Sequence, residues 1–294
     1  MNKIGNNLET EIINLLSHCM REKVDINNIQ NHPIRVIEAA KSIIGLNLDN
    51  PSIRLLNYIK IKKTSANLLD VESDIKNEVE TVSIYELEEA IDKNDLNESN
   101  KVILNLLKLS DGRHILEYLL ELSLKQSGKS LSVIWAIYKA LSFIGYSSSL
   151  DVRNSLLIAA QSLIYDQYYS LDSIETESLD SIFDRSNLND YELQIFGIIY
   201  ELLNEKFIRT ASIKDCLESF TKYFIFNLKQ EDIKENKGKV SINTRYDLLK
   251  ILEESEISDR NILNINALRA CMKNSNKINK KKLTHYILSI LRGS

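Results

Sequence analysis

Cysteine, proline and long apolar runs are scarce in this chain, and each scarcity removes a class of protein. Three cysteines occur in 294 residues, Cys19, Cys216 and Cys271. They are odd in number and far apart, the pattern of a reducing compartment and not of a disulfide-stapled secreted fold. The expected location is therefore cytoplasmic. Both prolines, Pro33 and Pro51, stand where a helix should begin, a position at which a missing N–H costs nothing. No run approaches the roughly twenty continuous apolar residues that span a bilayer, so no membrane partner is expected. The amino-terminal stretch is broken by Asn14, Ser17 and His18 and lacks the apolar core of a signal peptide.

Excess charge of one sign is missing too. With 37 basic against 41 acidic residues, the global field steers neither polyanions nor membranes. Catalytic signatures are equally absent from the sequence. It contains no HExxH, no glycine-rich phosphate loop, no serine nucleophile elbow and no DDxxD cluster. The Glu-x-x-His element of dimetal carboxylate bundles is missing, and no closely spaced histidine or cysteine pair marks a metal site. No metal is expected, and the sequence names no cofactor.

What is present is helical periodicity from end to end. Leu8, Ile12, Leu15, Leu16 and Cys19 form one stripe at helical spacing, and Ile34, Ile37, Ala40 and Ile44 form another that closes at Gly45. Ser83 with Glu86, Asn189 with Glu192, and Ser212 with Asp215 read as helix starts. Ser130 to Ile144 is the most apolar helix and the expected core, with Leu150 to Ile164 as its antiparallel neighbour. Further helices are expected near Ser173 to Phe183, over Tyr191 to Lys206, over Ser212 to Leu228 and over Lys280 to Leu291. Tyr223 to Leu228 is ambiguous between helix and strand. The fold class predicted is all-α, an irregular helical-hairpin repeat or multi-helix bundle of about 12–14 helices.

Four segments are expected. Residues 1–61 form an amino-terminal helical hairpin unit, and residues 62–82 an acidic linker or mobile segment. Residues 83–228 form a central helical domain, with 229–294 a carboxy-terminal subdomain packed on it. Lys229 to Lys239 is a second linker candidate. Ile34 to Gly45 also aligns with Ile134 to Gly145 through Ile37/Ile137, Ala40/Ala140, Ser42/Ser142 and Ile44/Ile144. The two read as related hairpins that need stacking to bury their apolar faces, or as independent Ile-rich helices closed by glycine.

The candidate catalytic residues are His18, His32 and His114. His18 meets His32 if the first two helices pack antiparallel, with Glu38 joining from the second; the alternative is cap and loop histidines bonded to backbone. Asp111 and His114 share a helical face, although Asp111 reads more simply as an N-cap. Trp135 and Tyr138 mark the place for a small hydrophobic ligand, with aromatic packing as the plainer reading. Lys273, Lys277, Lys280, Lys281, Lys282 and Arg292 make an acid-free terminus. It reads as a solvated basic end and not as a nucleic-acid-reading helix.

Leu87 to Gly145 contains LEEAIDKND, a helix over Leu104 to Leu109, HILEYLLELSLKQSG and an apolar helix closed by glycine. This stretch resembles the all-helical region of questin-oxidase-like and Rieske-associated bacterial proteins, as does His32-Pro33 ahead of Ile34. The resemblance implies redox-linked oxygenase chemistry or an accessory helical domain. The chain has Ser132 and Val133 at the corresponding start of the second unit and no Cys-x-His cluster, so no catalytic residue is carried over. The reading reached is a helical scaffold or protein-interaction module with a protein partner. The alternative is a helical oxidoreductase-like enzyme acting on a small hydrophobic substrate through a dispersed histidine/carboxylate site.

Overall fold

Ser83, Asp95, Asp111 and Asn189 each end a turn and start a helix. Their side chains accept hydrogen bonds from the backbone N–H groups of Tyr85, Glu98, Arg113 and Glu192, donors that the first helical turn leaves without partners. At Asn189 the arrangement is reciprocal, because Glu192 accepts from the Asn189 N–H at 2.8 Å.

The computed structural model describes residues 3–62, 69, 82–146, 149–169, 179, 187–228, 244–274 and 285–288. Among the described residues the fold is all-α, with no strand; Gln126 and Tyr168 form an isolated antiparallel bridge. The helices are α1 (Lys3–Cys19), α2 (Ile34–Ile44), α3 (Ile53–Ile61), α4 (Ile84–Asp92), α5 (Leu96–Leu109) and α6 (Gly112–Ser123). They continue as α7 (Lys129–Ile144), α8 (Ser149–Ile164), α9 (Asp190–Leu202), α10 (Thr210–Asn227), α11 (Arg245–Glu254) and α12 (Asp259–Asn274). A 3-10 turn, Ile29–Asn31, precedes α2. None of the described helices is long and apolar enough to cross a membrane.

The chain divides into two units. The first contains residues 1–38, 62–169 and 206–216; the second contains 39–61, 170–205 and 217–294. In the first, α8 packs on α4, α5, α6 and α7. Apart from Arg153, α8 is buried from Asp151 to Leu163, and α7 is buried from Ser130 to Leu141 apart from Lys139. A helix buried on every side must satisfy its polar residues internally. Asp151 accepts from the Ser17 hydroxyl at 2.9 Å, and Gln161 accepts from the Val24 N–H at 3.0 Å, which ties α1 and the segment after it to α8. The start of α7 follows Gly128, whose φ of 103° supplies no capping side chain. Asp166 caps it from a distance, accepting from both the N–H and the hydroxyl of Ser130 at 2.8 Å.

In the second unit, α9 and α12 pass so closely that a Cβ on Gly197 would lie 2.7 Å from the Cα of Ala267. Arg269 pairs with Glu201 at 2.7 Å, and Asn264 joins Asp190 and Gln194 along the same seam. The Tyr58 hydroxyl of α3 donates to Asp259 at 2.9 Å.

Two helices start earlier than their periodicity suggests. α5 begins at Leu96 because Asn94, at φ 56°, turns the chain and Asp95 caps it. α10 begins at Thr210 because a carboxylate from another helix takes the Arg209 N–H, so Ser212 is not the start. Tyr223 to Asn227 belongs to α10 and is helical. Ser83 caps α4 through the Tyr85 N–H. Both helices of the aligned pair end where expected, with the Gly45 and Gly145 N–H groups bonded to Lys41 and Leu141. The acidic linker at residues 63–81 apart from Leu69, the helix near Ser173 to Phe183 apart from Leu179, the Lys229 to Lys239 linker, and the basic residues Lys277, Lys280, Lys281, Lys282 and Arg292 lie outside the described residues.

Candidate functional site

A gathering of ionisable and aromatic side chains in the first unit lies along α6. Arg113, Glu117 and Glu121 follow one another at one-turn spacing and so share a face. Glu117, with a fully buried side chain, accepts from Arg113 Nε at 3.1 Å and from the Arg209 N–H at 2.9 Å. Glu121 accepts from Arg209 Nη2 at 2.8 Å and Nε at 3.0 Å. The Arg209 guanidinium carbon lies 5.0 Å from the centre of the Tyr118 ring. The Tyr118 hydroxyl in turn donates to Glu88 of α4, which also pairs with Lys125 at 3.1 Å. Burial opposes ionisation of Glu88, but the Tyr118 and Lys125 hydrogen bonds outweigh it and hold its carboxyl below the ordinary value. Burial and the Glu88 bond raise the Tyr118 hydroxyl, keeping it a donor.

Arg113 links this ladder to the aromatic residues of α7. Its Nη2 donates to the Tyr138 hydroxyl at 3.1 Å and to the Lys206 carbonyl at 3.2 Å. Trp135 and Tyr138 stack at 5.3 Å, and Phe207 closes on both, at 6.4 Å and 5.5 Å between ring centres. All three rings are buried. Phe207 thus packs on both rings at the position expected to receive a hydrophobic ligand. Glu38 of α2 pairs with Lys139 of α7 at 3.1 Å.

The three candidate histidines divide between two places. His18 Nε2 lies 4.0 Å from the Glu22 carboxylate, and His32 Nε2 donates to the Glu22 carbonyl at 3.0 Å. His32 Nδ1 accepts from the Ile34 N–H, so the ring caps α2 and both nitrogens are engaged. Burial pushes His32 down to about 4, with the Arg35 charge assisting and the Glu22 bond opposing. Cys19, next to His18, is raised by burial and by the Glu22 charge and stays a thiol, not a nucleophilic thiolate. His114 is exposed in the first turn of α6, after the Asp111 cap. Among the described residues no group of three or more His, Cys, Asp or Glu side chains is arranged to hold a metal ion.

Sequence reasoning found Trp135 and Tyr138 but missed Phe207 and Arg209, whose importance depends on contacts some seventy to ninety positions away. Glu117 and Glu121 did carry a signal: two carboxylates at one-turn spacing among apolar residues of α6 require partners when buried. By fold this is an all-helical protein among its described residues, and Glu88, Glu121 and Glu201 are among the acidic groups that join one helix to another element. No family model, curated protein or solved structure matches the chain.

Proposed function

We propose that the chain is a helical scaffold that binds a partner protein. The observation that carries this reading is a set of exposed apolar residues at helix ends of the first unit. The ends of α5 and α7 and the starts of α6 and α8 gather there, brought together by the approach of Gly112 to Val152. Leu109, Phe143 and Leu150 are 57%, 39% and 45% exposed at these helix ends. Single exposed apolar residues are ordinary, whereas neighbouring ones at converging helix ends form a surface suited to association. The groups that catalysis would need are instead engaged in holding helices: His32 caps α2, and Glu117 and Glu121 hold arginines.

A photo-crosslinking amino acid in place of Phe143 tests this reading, with Lys93 as an exposed control position. The expected result in cell extract is a discrete adduct at 143 that unlabelled protein competes away and that Leu150→Glu removes. Equal labelling at 143 and 93 would remove the basis for the scaffold.

A histidine/carboxylate enzyme is the second reading, and the placing of His18 near the Glu22 carboxylate, with His32 on the carbonyl of the same residue, is what favours it. For His32 to act as a base, its ring would have to release the Ile34 N–H and open the start of α2. His32→Asn tests it: loss of turnover without loss of fold supports an enzyme, and an unchanged function supports a cap.

A further inference from the structure

Residues 206–216 belong to the first unit, although the described chain on either side of them belongs to the second. The first part of this segment is held as a bound peptide is held. Its main chain is read twice, by Arg113 at the Lys206 carbonyl and by Glu117 at the Arg209 N–H. Its side chains alternate: Phe207 turns in against Trp135 and Tyr138, Ile208 is 49% exposed, and Arg209 turns in to Glu121 and the Tyr118 ring. Main-chain bonds fix the register of such a segment, and the two inward side chains give it specificity. Arg113, Glu117, Tyr118 and Glu121 project from α6 and Trp135 and Tyr138 from α7, so these receiving groups stand in place without the strap. Their chemistry is an aromatic wall beside a pair of carboxylates.

Building on the scaffold reading, we infer that the α6–α7 face is a recognition surface for a partner peptide carrying an aromatic-x-Arg element, occupied in cis by Phe207 and Arg209. Charge complementarity commits the choice: Glu121 suits a cationic side chain two residues after the ring while Glu117 takes the main-chain N–H, and Arg fits better than Lys because its fork donates twice to Glu121. A partner must compete with a tethered occupant at high effective concentration, so the surface opens to a strong or multivalent ligand and stays closed to a weak one.

The test uses the full chain carrying Phe207→Ala and Arg209→Ala, which weakens the strap and leaves the receiving groups intact. The probe is a labelled synthetic peptide with the sequence of residues 205–212. Trp135 is the chain's single tryptophan, so its emission reports occupancy. Saturable binding is expected, with a return of Trp135 emission toward that of the unaltered chain. Replacing either the Phe or the Arg of the peptide by Ala should weaken binding roughly tenfold or more, as for loss of one charge-assisted bond or one aromatic anchor. Glu121→Lys in the same background should abolish it.

Absence of saturable binding, or equal binding of all three peptides, overturns the inference. So does a variant that dimerises yet refuses peptide, because the occupant is then a second copy. If the double variant loses its cooperative melt, Arg209→Ala alone takes its place. On the unaltered chain, excess peptide must speed hydrogen exchange at residues 207–213; unchanged exchange at saturating peptide also overturns it. A chain that fails here but still gives the adduct at 143 keeps the scaffold and loses this surface.

Discussion

His32 shows how one side chain can look catalytic in sequence and be structural in place. A histidine before Pro33 at a helix start has the chemistry of a base, but its Nδ1 accepts from Ile34 and its Nε2 donates to Glu22, the two bonds a neutral imidazole can make. The energetic consequence has a definite sign. Burial lowers the folded value to about 4 from an ordinary 6.5. Between those values the unfolded chain binds the proton and the folded chain does not, so stability rises with pH. The contribution is fully present above about pH 6.5 and is lost as pH falls toward about 4; the shift corresponds to ~3 kcal/mol. Urea midpoints measured from pH 7 to pH 4 should fall steeply, and His32→Asn, which keeps a cap acceptor but cannot titrate, should flatten the fall. An equal slope in both proteins would show that other groups carry it. Glu117 makes a second residue-scale case. Its side chain is fully buried between Arg113 and the Arg209 N–H. Glu117→Ala strands both donors and should cost about 3 kcal/mol in chemical denaturation. Glu117→Gln retains one acceptor and should cost less. Identical losses would mean that packing, not the hydrogen bonds, sets the value.

At the scale of elements, most of the fold was legible in the sequence, and the exceptions have physical causes. The glycine ends of α2 and α7 and the caps at Asp111 and Asn189 depend on residues within four positions of one another, so pattern reading reaches them. The start of α10 depends on Glu117, some ninety residues upstream, and the start of α7 on Asp166 downstream; neither is written locally. Gly197 is another long-range case. In the middle of α9 a glycine looks like a liability, since alanine there should gain up to about 1 kcal/mol of helix propensity. The added Cβ would instead lie 2.7 Å from the Ala267 Cα and 2.8 Å from its Cβ. A backbone atom cannot rotate away, so α9 and α12 must separate. Gly197→Ala should therefore destabilise by a net ~1 to 2 kcal/mol, the overpacking cost exceeding the propensity gain. A thermal midpoint equal to or above that of the unaltered chain would show that the seam has room.

For the whole molecule, the same mixture of local and distant determinants explains why architecture was readable and the site was not. Amphipathic stripes specify that helices form and which faces they bury. They do not specify that Phe207 will meet Trp135, or that Arg209 will meet Glu121, because both meetings depend on how the chain returns to α6 and α7. The candidate histidines illustrate the limit: His18 lies near the Glu22 carboxylate and His32 is bonded to the Glu22 carbonyl, while His114 lies exposed at the start of α6. The core, by contrast, follows from composition and periodicity, and it sets where protection against opening should be greatest. In the first unit α7 and α8 are buried on nearly every side over Ser130–Leu141 and Asp151–Leu163. In the second, α9 and α12 hold the closest approach and the Arg269–Glu201 and Asn264–Asp190 contacts. Amides of these four helices should exchange slowest, because freeing them requires exposing core and not merely fraying an end. Deuterium uptake followed by mass spectrometry measures this directly, with α4 and the 205–210 strap expected to exchange faster. In Gly197→Ala, faster uptake in α9 and α12 is expected. If those two helices instead keep their protection while the midpoint falls, the destabilisation does not arise at the Gly197–Ala267 crossing.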